Sequence, residues 1–406
     1  MKKRRLSNVF ISLIGVFILL VIPVQKNTQA ITDPVPFHLI SSMEEDWFNC
    51  YPLGDFRYDY SDAVEGDGCL VLMPDSVEGF VGVKTSFYPM NLSLHGFRFF
   101  MQSTDWDLVY TLVITFHTYG DWGDYYSLDM VWNLIEKPDN EWIEVVLSPS
   151  EFEIIGNPSW QSINMVSFRT DVNPGKNCEI MIDGLDSFYN RQEPAISIVF
   201  DDGFQSVMKA KTVMNEFGVA GTLFIIPDYL EEPEFVDQNM IDSFHEDGWD
   251  IGGHGMTPLT ELTQDELHEE FRSTKQYLEA HQYRGKDLYA LPYGVYNQQI
   301  LSIGSQYFSW IRPSDSLNQP SGYIPAGRMN ARSVIVNTPV DTIKVWIDRA
   351  KEYNDWVVLV FHRIEEDPVY DTDYRESSFR EIIQYAVDCD VPIMPMSAFL
   401  EAGTQS

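Results

Sequence analysis

The apolar rhythm of this 406-residue chain changes once, at Asn190-Arg191-Gln192-Glu193-Pro194, and the change admits different architectures on its two sides. From about Phe37 to Tyr189, short apolar runs are broken by Gly, Pro, Asp and Asn clusters. Their period is two, clearest in Leu108-Val109-Tyr110-Thr111-Leu112-Val113-Ile114-Thr115-Phe116. That period sends successive side chains to opposite faces of a strand, and helical periodicity is nearly absent, so residues 31–190 are expected to form a β-sandwich. After the change, short apolar runs alternate with amphipathic stretches: Ile196 to Phe200 as strand, Gln205 to Phe217 as helix, Gly221 to Ile226 as strand, Met240 to Glu246 as helix, Trp249 to Ile251 as strand. The next helix opens on Thr263-Gln264-Asp265-Glu266, a capping box, and places Leu267, Phe271 and Leu278 on one face. Such alternation over residues 194–406 implies parallel βα units, either an open sheet or a barrel, with catalytic groups just past the carboxyl ends of strands.

Ahead of both halves stands Lys2-Lys3-Arg4-Arg5, then an apolar run from Val9 to Val24 and a small residue at Ala30. The run is shorter than the roughly twenty residues that span a bilayer, so residues 1–30 read as a signal peptide, with cleavage favoured over an uncleaved anchor. The protein is therefore expected to be secreted or held at the cell surface. Its 27 Lys+Arg and 61 Asp+Glu give a net charge of −34; residues 1–30 hold five of the bases and no acid, and their removal leaves 22 bases, a balance of −39. A chain this acidic repels nucleic acid and anionic lipid, so neither is expected as a partner. Among the cysteines, Cys50, Cys69 and Cys178 fall in the first half and Cys389 alone in the second. In an exported chain Cys50 to Cys69 is the expected disulfide, and without a Cys-x-x-Cys no thiolate zinc site is expected. Asn91-Leu92-Ser93 is a glycosylation sequon, which agrees with export.

Phe99 to Trp132 holds ten aromatics, among them Trp106, Tyr119, Trp122, Tyr125, Tyr126 and Trp132, interleaved with acids and glycines. Aromatic faces stack on sugar rings, and they also fill cores; both uses are open here. With strands expected at Asn140 to Leu147 and Ile180 to Leu185, this half resembles galactose-binding-like jelly-roll modules of the carbohydrate-binding kind.

Three strand ends in the second half carry polar chemistry. Ile196-Ser197-Ile198-Val199-Phe200 runs into Asp201-Asp202-Gly203, and adjacent carboxylates after a buried strand need a cation or strong donors, although the tripeptide is also a common turn. Trp249-Asp250-Ile251-Gly252-Gly253-His254-Gly255 ends in a histidine flanked by glycines, where a neutral imidazole can ligate a metal. Trp356 to Phe361 delivers His362-Arg363-Ile364. With Leu291-Pro292-Tyr293-Gly294 between the second and third, the set resembles the NodB-type polysaccharide deacetylases, carbohydrate esterase family four, over roughly Pro194 to Leu400. The resemblance implies a distorted, incomplete (β/α) barrel. It also implies that Asp201 is the general base, that Asp202 and His254 ligate a divalent metal, usually zinc, that His362 protonates the departing amine, and that the backbone N–H of Tyr293 holds the oxyanion. Trp310 and Trp356 are candidates for the sugar groove and equally for the core.

The chain departs from that pattern twice. Pro258 stands where the family has its second metal-binding histidine, which leaves Asp202 and His254 short of the three protein ligands of a catalytic zinc. His245, His268, Asp250 and Glu261 are the conceivable replacements, none with the required spacing. Ala290 stands where the family often has an arginine that orients the base, and Arg328, in Gly327-Arg328-Met329-Asn330, is the expected substitute. The leading expectation is a secreted, metal-dependent deacetylase of an acetylated glycan with an N-terminal sugar-binding module; the rival is a non-catalytic glycan-binding protein with a decayed site. A glycoside hydrolase fits poorly, because sequence neighbours such as Asp201 and Asp202 are hard to place on opposite sides of a glycosidic bond at the separations that chemistry needs.

Overall fold

The structure is a computed structural model and describes residues 36–119, 122–130, 138–190, 193–314, 316–325 and 328–402. The expected signal peptide, Trp132 and Gly327 lie outside them. The first half is a sandwich of two antiparallel sheets. One runs Asp55–Asp59, Cys69–Met73, Ile180–Tyr189, His95–Ser103, Ile143–Leu147, with His38–Ser41 also paired to Ile180–Tyr189. The other runs Glu153–Ile155, Tyr125–Asp129, Val109–Thr118, Ile163–Val172, Phe80–Met90, Phe48–Asn49. The period-two pattern does what it implies: Leu112, Ile114 and Phe116 point inward from the second sheet and meet Phe97, Phe99 and Met101 from the first, with Phe97 and Phe116 stacked at 4.4 Å. Each such fully buried side chain contributes about 1.5–3 kcal/mol.

The cysteines correct the expectation of a disulfide: all four are free. Cys50 follows Phe48–Asn49 and donates its N–H to the Gly82 carbonyl within the second sheet. Cys69 opens a strand of the first sheet and joins Val71 and Met181 in a cluster outside the sandwich core, so the two cysteines stand on different sheets.

The second half is the α/β unit. Its sheet has parallel strands in the order Trp310–Arg312, Leu288–Ala290, Asp250–Gly253, Thr222–Ile225, Ala195–Phe200, Asp355–Phe361; Arg332–Ser333 also pairs parallel to the last, and Gln319–Pro320 pairs antiparallel. Among the described residues no pairing closes the sheet, so the (β/α) barrel is incomplete. Its strands are apolar on both faces because both are covered: Ile196, Ile198 and Phe200 enter the main core with Val357, Leu359 and Phe361, while Ala195 and Val199 enter a second cluster with Trp356 and Val358. The helix Gln264–Ala280 begins at the expected capping box, with Thr263 Oγ1 accepting from the Glu266 N–H and Glu266 accepting from the Thr263 N–H at 2.8 Å. It buries Leu267, Phe271 and Leu278.

Candidate active site

Because the sheet is parallel, its carboxyl ends lie along one edge, and Asp201, Asp202, His254, Tyr293, Arg312 and His362 all stand at or just beyond those ends. The Asp201 N–H donates to the Phe361 carbonyl at 3.0 Å, which continues the pairing of the two strands that deliver Asp201 and His362. Asp202 then takes φ 68° and Gly203 φ 76°, a left-handed turn at the strand's end. Tyr293, in the single turn Pro292–Gly294, has φ 59° and a side chain that is 72% exposed. Non-glycine residues are costly in this region, and both occur in the polar turns of the site.

His254 is buried and fully committed. Its Nδ1 lies 2.8 Å from the Ala290 carbonyl, so Nδ1 carries a proton and donates it there. Its Nε2 faces Asp202 Oδ1 at 3.3 Å. Burial opposes charge on both groups. Contact with Asp202, helped by the nearby Asp201, raises the His254 pKa nonetheless, and contact with His254 lowers that of Asp202. The flanking glycine is a packing requirement: a Cβ on Gly255 would lie 2.8 Å from Glu270 Oε1 and 2.9 Å from the Tyr289 hydroxyl. That hydroxyl, wholly buried, donates to Glu270 at 3.0 Å; burial pushes the pKa of Glu270 up and that of Tyr289 far up.

Asp201 is held by Arg312, not by Arg328. Arg312 Nη2 donates to Asp201 Oδ2 at 2.5 Å, with both side chains buried, and its Nη1 donates to the Pro313 carbonyl at 3.3 Å. Asp201 Oδ1 is buried and without a hydrogen-bond partner among the described residues, as is His362 Nδ1. The expectation for Arg328 is corrected: its guanidinium donates to the Tyr296 hydroxyl and the Glu144 carbonyl, between barrel and sandwich. The guanidinium missing at Ala290 returns one strand over, for Ala290 and Arg312 are register partners on neighbouring parallel strands. The sequence signal was the short run Trp310-Ile311-Arg312, which ends in a charge as the other site strands end in polar groups.

None of the conceivable third ligands joins Asp202 and His254. Asp250 is at the opposite end of its strand, accepting from Ser397 at 2.7 and 2.8 Å. His268 pairs with the Tyr307 hydroxyl at 2.9 Å, His245 packs on Tyr283, and Glu261 is exposed. Among the described residues no group of three or more His, Cys, Asp or Glu is arranged to hold a metal ion. Facing acceptors at His254 and Asp202 welcome a cation, but the donor set is one short of a catalytic zinc centre and does not fit it. Trp356 is core: it is fully buried, stacks on Phe399 at 4.2 Å and donates to Ser197 at 3.0 Å. Trp310 packs partly buried against the same cluster.

Residues 189–307 match the family model described as polysaccharide deacetylase. No curated protein matches the chain. Among solved structures, the chain is similar to a family 4 carbohydrate esterase from Streptomyces lividans in complex with acetate (18% identity, 50% of this chain and 93% of that chain, TM-score 0.35). It is also similar to a CE4 family pseudoenzyme from Bacillus anthracis (13% identity, 51% and 66%, TM-score 0.35). A further similarity is to the family 11 carbohydrate-binding module of a cellulosomal cellulase of Clostridium thermocellum (11% identity, 39% and 96%, TM-score 0.28).

Proposed function

We propose that this polysaccharide deacetylase-like barrel hydrolyses acetyl groups from a glycan outside the cell. The observation that carries the reading is the buried Arg312–Asp201 pair, which leaves Asp201 Oδ1 without a partner among the described residues, beside His254, Asp202 and His362. In the proposed reaction Asp201 takes a proton from water as the water oxygen bonds the acetyl carbonyl carbon. The Tyr293 N–H receives the oxyanion, a kind of contact that contributes about 3–4 kcal/mol where measured. His362 then gives a proton to the departing nitrogen or oxygen as its bond to carbon breaks, and acetate leaves. Asp202 and His254 are the two positions to which the family resemblance assigns a divalent metal; two donors do not make a catalytic zinc centre, and no step here runs through one. Acetate release from an acetylated chitooligomer, lost in Asp201→Asn, tests the reading.

The segment Met1–Ala30 supports secretion, and the acidic chain supports a partner other than nucleic acid. The sandwich supports glycan binding at the outer face of its second sheet. Trp122 and Tyr51 are 45% and 41% exposed there with ring centroids 6.3 Å apart, and Lys84 lies 6.0 Å from the Trp122 ring. Trp106 and Tyr126, by contrast, are core. Trp122→Ala should weaken retention on insoluble acetylated glycan; unchanged retention would remove this role from the face. A non-catalytic glycan-binding protein is the second reading, favoured by the two-donor metal set.

A further inference from the structure

The segment that carries Arg312 does not stay with the barrel. After Arg312 the chain crosses to the sandwich and returns at Arg332–Ser333 to pair with Asp355–Phe361. Leu317, within this excursion, is part of the sandwich core. The base of the excursion is closed by the Ser316 N–H on the Ala331 carbonyl at 2.9 Å and by Arg332 Nη1 on the Ser316 carbonyl at 2.9 Å. Arg332 is in turn held from the sandwich: its Nη2 donates to both carboxylate oxygens of Glu151 at 2.6 Å, while Glu151 also accepts the Asn318 N–H at 2.9 Å. Both side chains are about nine-tenths buried, so this is a desolvated, forked ion pair and not a surface contact. At the other end of the same sandwich edge, Arg328 donates to the Glu144 carbonyl and to the hydroxyl of Tyr296, which is three residues beyond Tyr293.

We infer that Glu151 of the sandwich is a positioning residue for the hydrolytic site: by holding Arg332 and Asn318 it fixes the excursion that presents Arg312 to Asp201. Two short connections carry the effect. Arg312 is joined directly to the excursion, and the Met329 N–H donates to the Ile311 carbonyl at 3.3 Å, tying the returning arm to the strand that ends in Arg312. The Leu291 N–H donates to the Arg312 carbonyl at 2.9 Å, so displacement of Arg312 also reaches the turn with Tyr293. The sandwich is on this account a structural member of the site, in addition to any sugar it binds.

The role in turnover rests on the deacetylase reading; the positioning itself does not, and the test separates them. In the full chain, Glu151→Gln keeps the shape and removes the charge. Hydrogen–deuterium exchange should then rise about tenfold in peptides covering Trp310–Pro313 and Leu291–Gly294, as well as in the excursion itself. A rise confined to residues 316–332 would overturn the inference whether or not the chain is an enzyme. Where the parent releases acetate, the same variant should lower kcat with KM nearly unchanged; a parental kcat, or a loss confined to KM, would contradict the role at any loss of Tm. A parent that releases no acetate removes the deacetylase reading and leaves the exchange result to decide. Glu151→Asp, which keeps the charge and shortens the reach, serves if Glu151→Gln does not fold, and should show a smaller rise at the same peptides.

Discussion

Replacing Arg312 by methionine removes the charge that Asp201 pairs with among the described residues and leaves the volume nearly filled. The pair is 2.5 Å apart, with side chains 2% and 7% exposed, so water cannot take the place of the guanidinium. Opposite charges about 4 Å apart at an effective dielectric of about 20 attract by about 4 kcal/mol, and removing one partner of a buried pair costs about 3–5 kcal/mol. Arg312→Met should therefore lose about 3–5 kcal/mol in urea unfolding near pH 8. Acetate release should fall by about 10²–10⁴ in kcat/KM, the range of a displaced general base. Arg312→Lys keeps the charge and loses the planar fork, and should recover most of the stability but only part of the rate. Stability within about 1 kcal/mol of the parent near pH 8, together with parental kcat/KM, would refute the assignment of Arg312.

Two further outcomes follow from the site and the interface. Asp355, at the start of the strand that leads to His362, is wholly buried and accepts from Ser148 at 2.6 Å and Ser150 at 2.5 Å of the sandwich; burial pushes its pKa up to about 8. A carboxyl whose folded pKa lies above its unfolded value stabilises fully at low pH and loses that contribution as pH rises to about 8, so Tm of the parent should decline across this window and Asp355→Asn should flatten the decline; parallel curves by scanning fluorimetry would contradict it. Zinc should bind the chain from residue 31 more weakly than a three-ligand site does, with the remaining heat in calorimetry lost in Asp202→Ala; tight binding that survives Asp202→Ala would show a different site.

Much of this arrangement was legible in the sequence because it is local. Phe200-Asp201-Asp202-Gly203 states a buried strand and a polar turn in one run, Thr263 and Glu266 cap a helix within one turn, and the alternation at Val109–Thr118 fixes which side chains face the core. What escaped depends on neighbours in space. Arg312 meets Asp201 from the strand beside the one that ends at Ala290, and nothing in the residues between Ala290 and Arg312 marks that those strands pair in register. Arg328 has the right residue type and follows the right kind of unit, yet the excursion carries it to Glu144. Cys50 and Cys69 are close in sequence and belong to different sheets. The change of rhythm at Pro194 marks where one architecture ends, while the Glu151–Arg332 fork that locks the two halves together rests on residues 181 apart.

Hydrolysis at Asp201 is read out by acetate release. The chain from residue 31, incubated with acetylated chitooligomers and other acetylated glycans, should release acetate, and Asp201→Asn should abolish release while leaving glycan retention intact. No acetate from any of these substrates, with glycan retention undiminished, would contradict the account and leave a glycan-binding protein built on a deacetylase barrel.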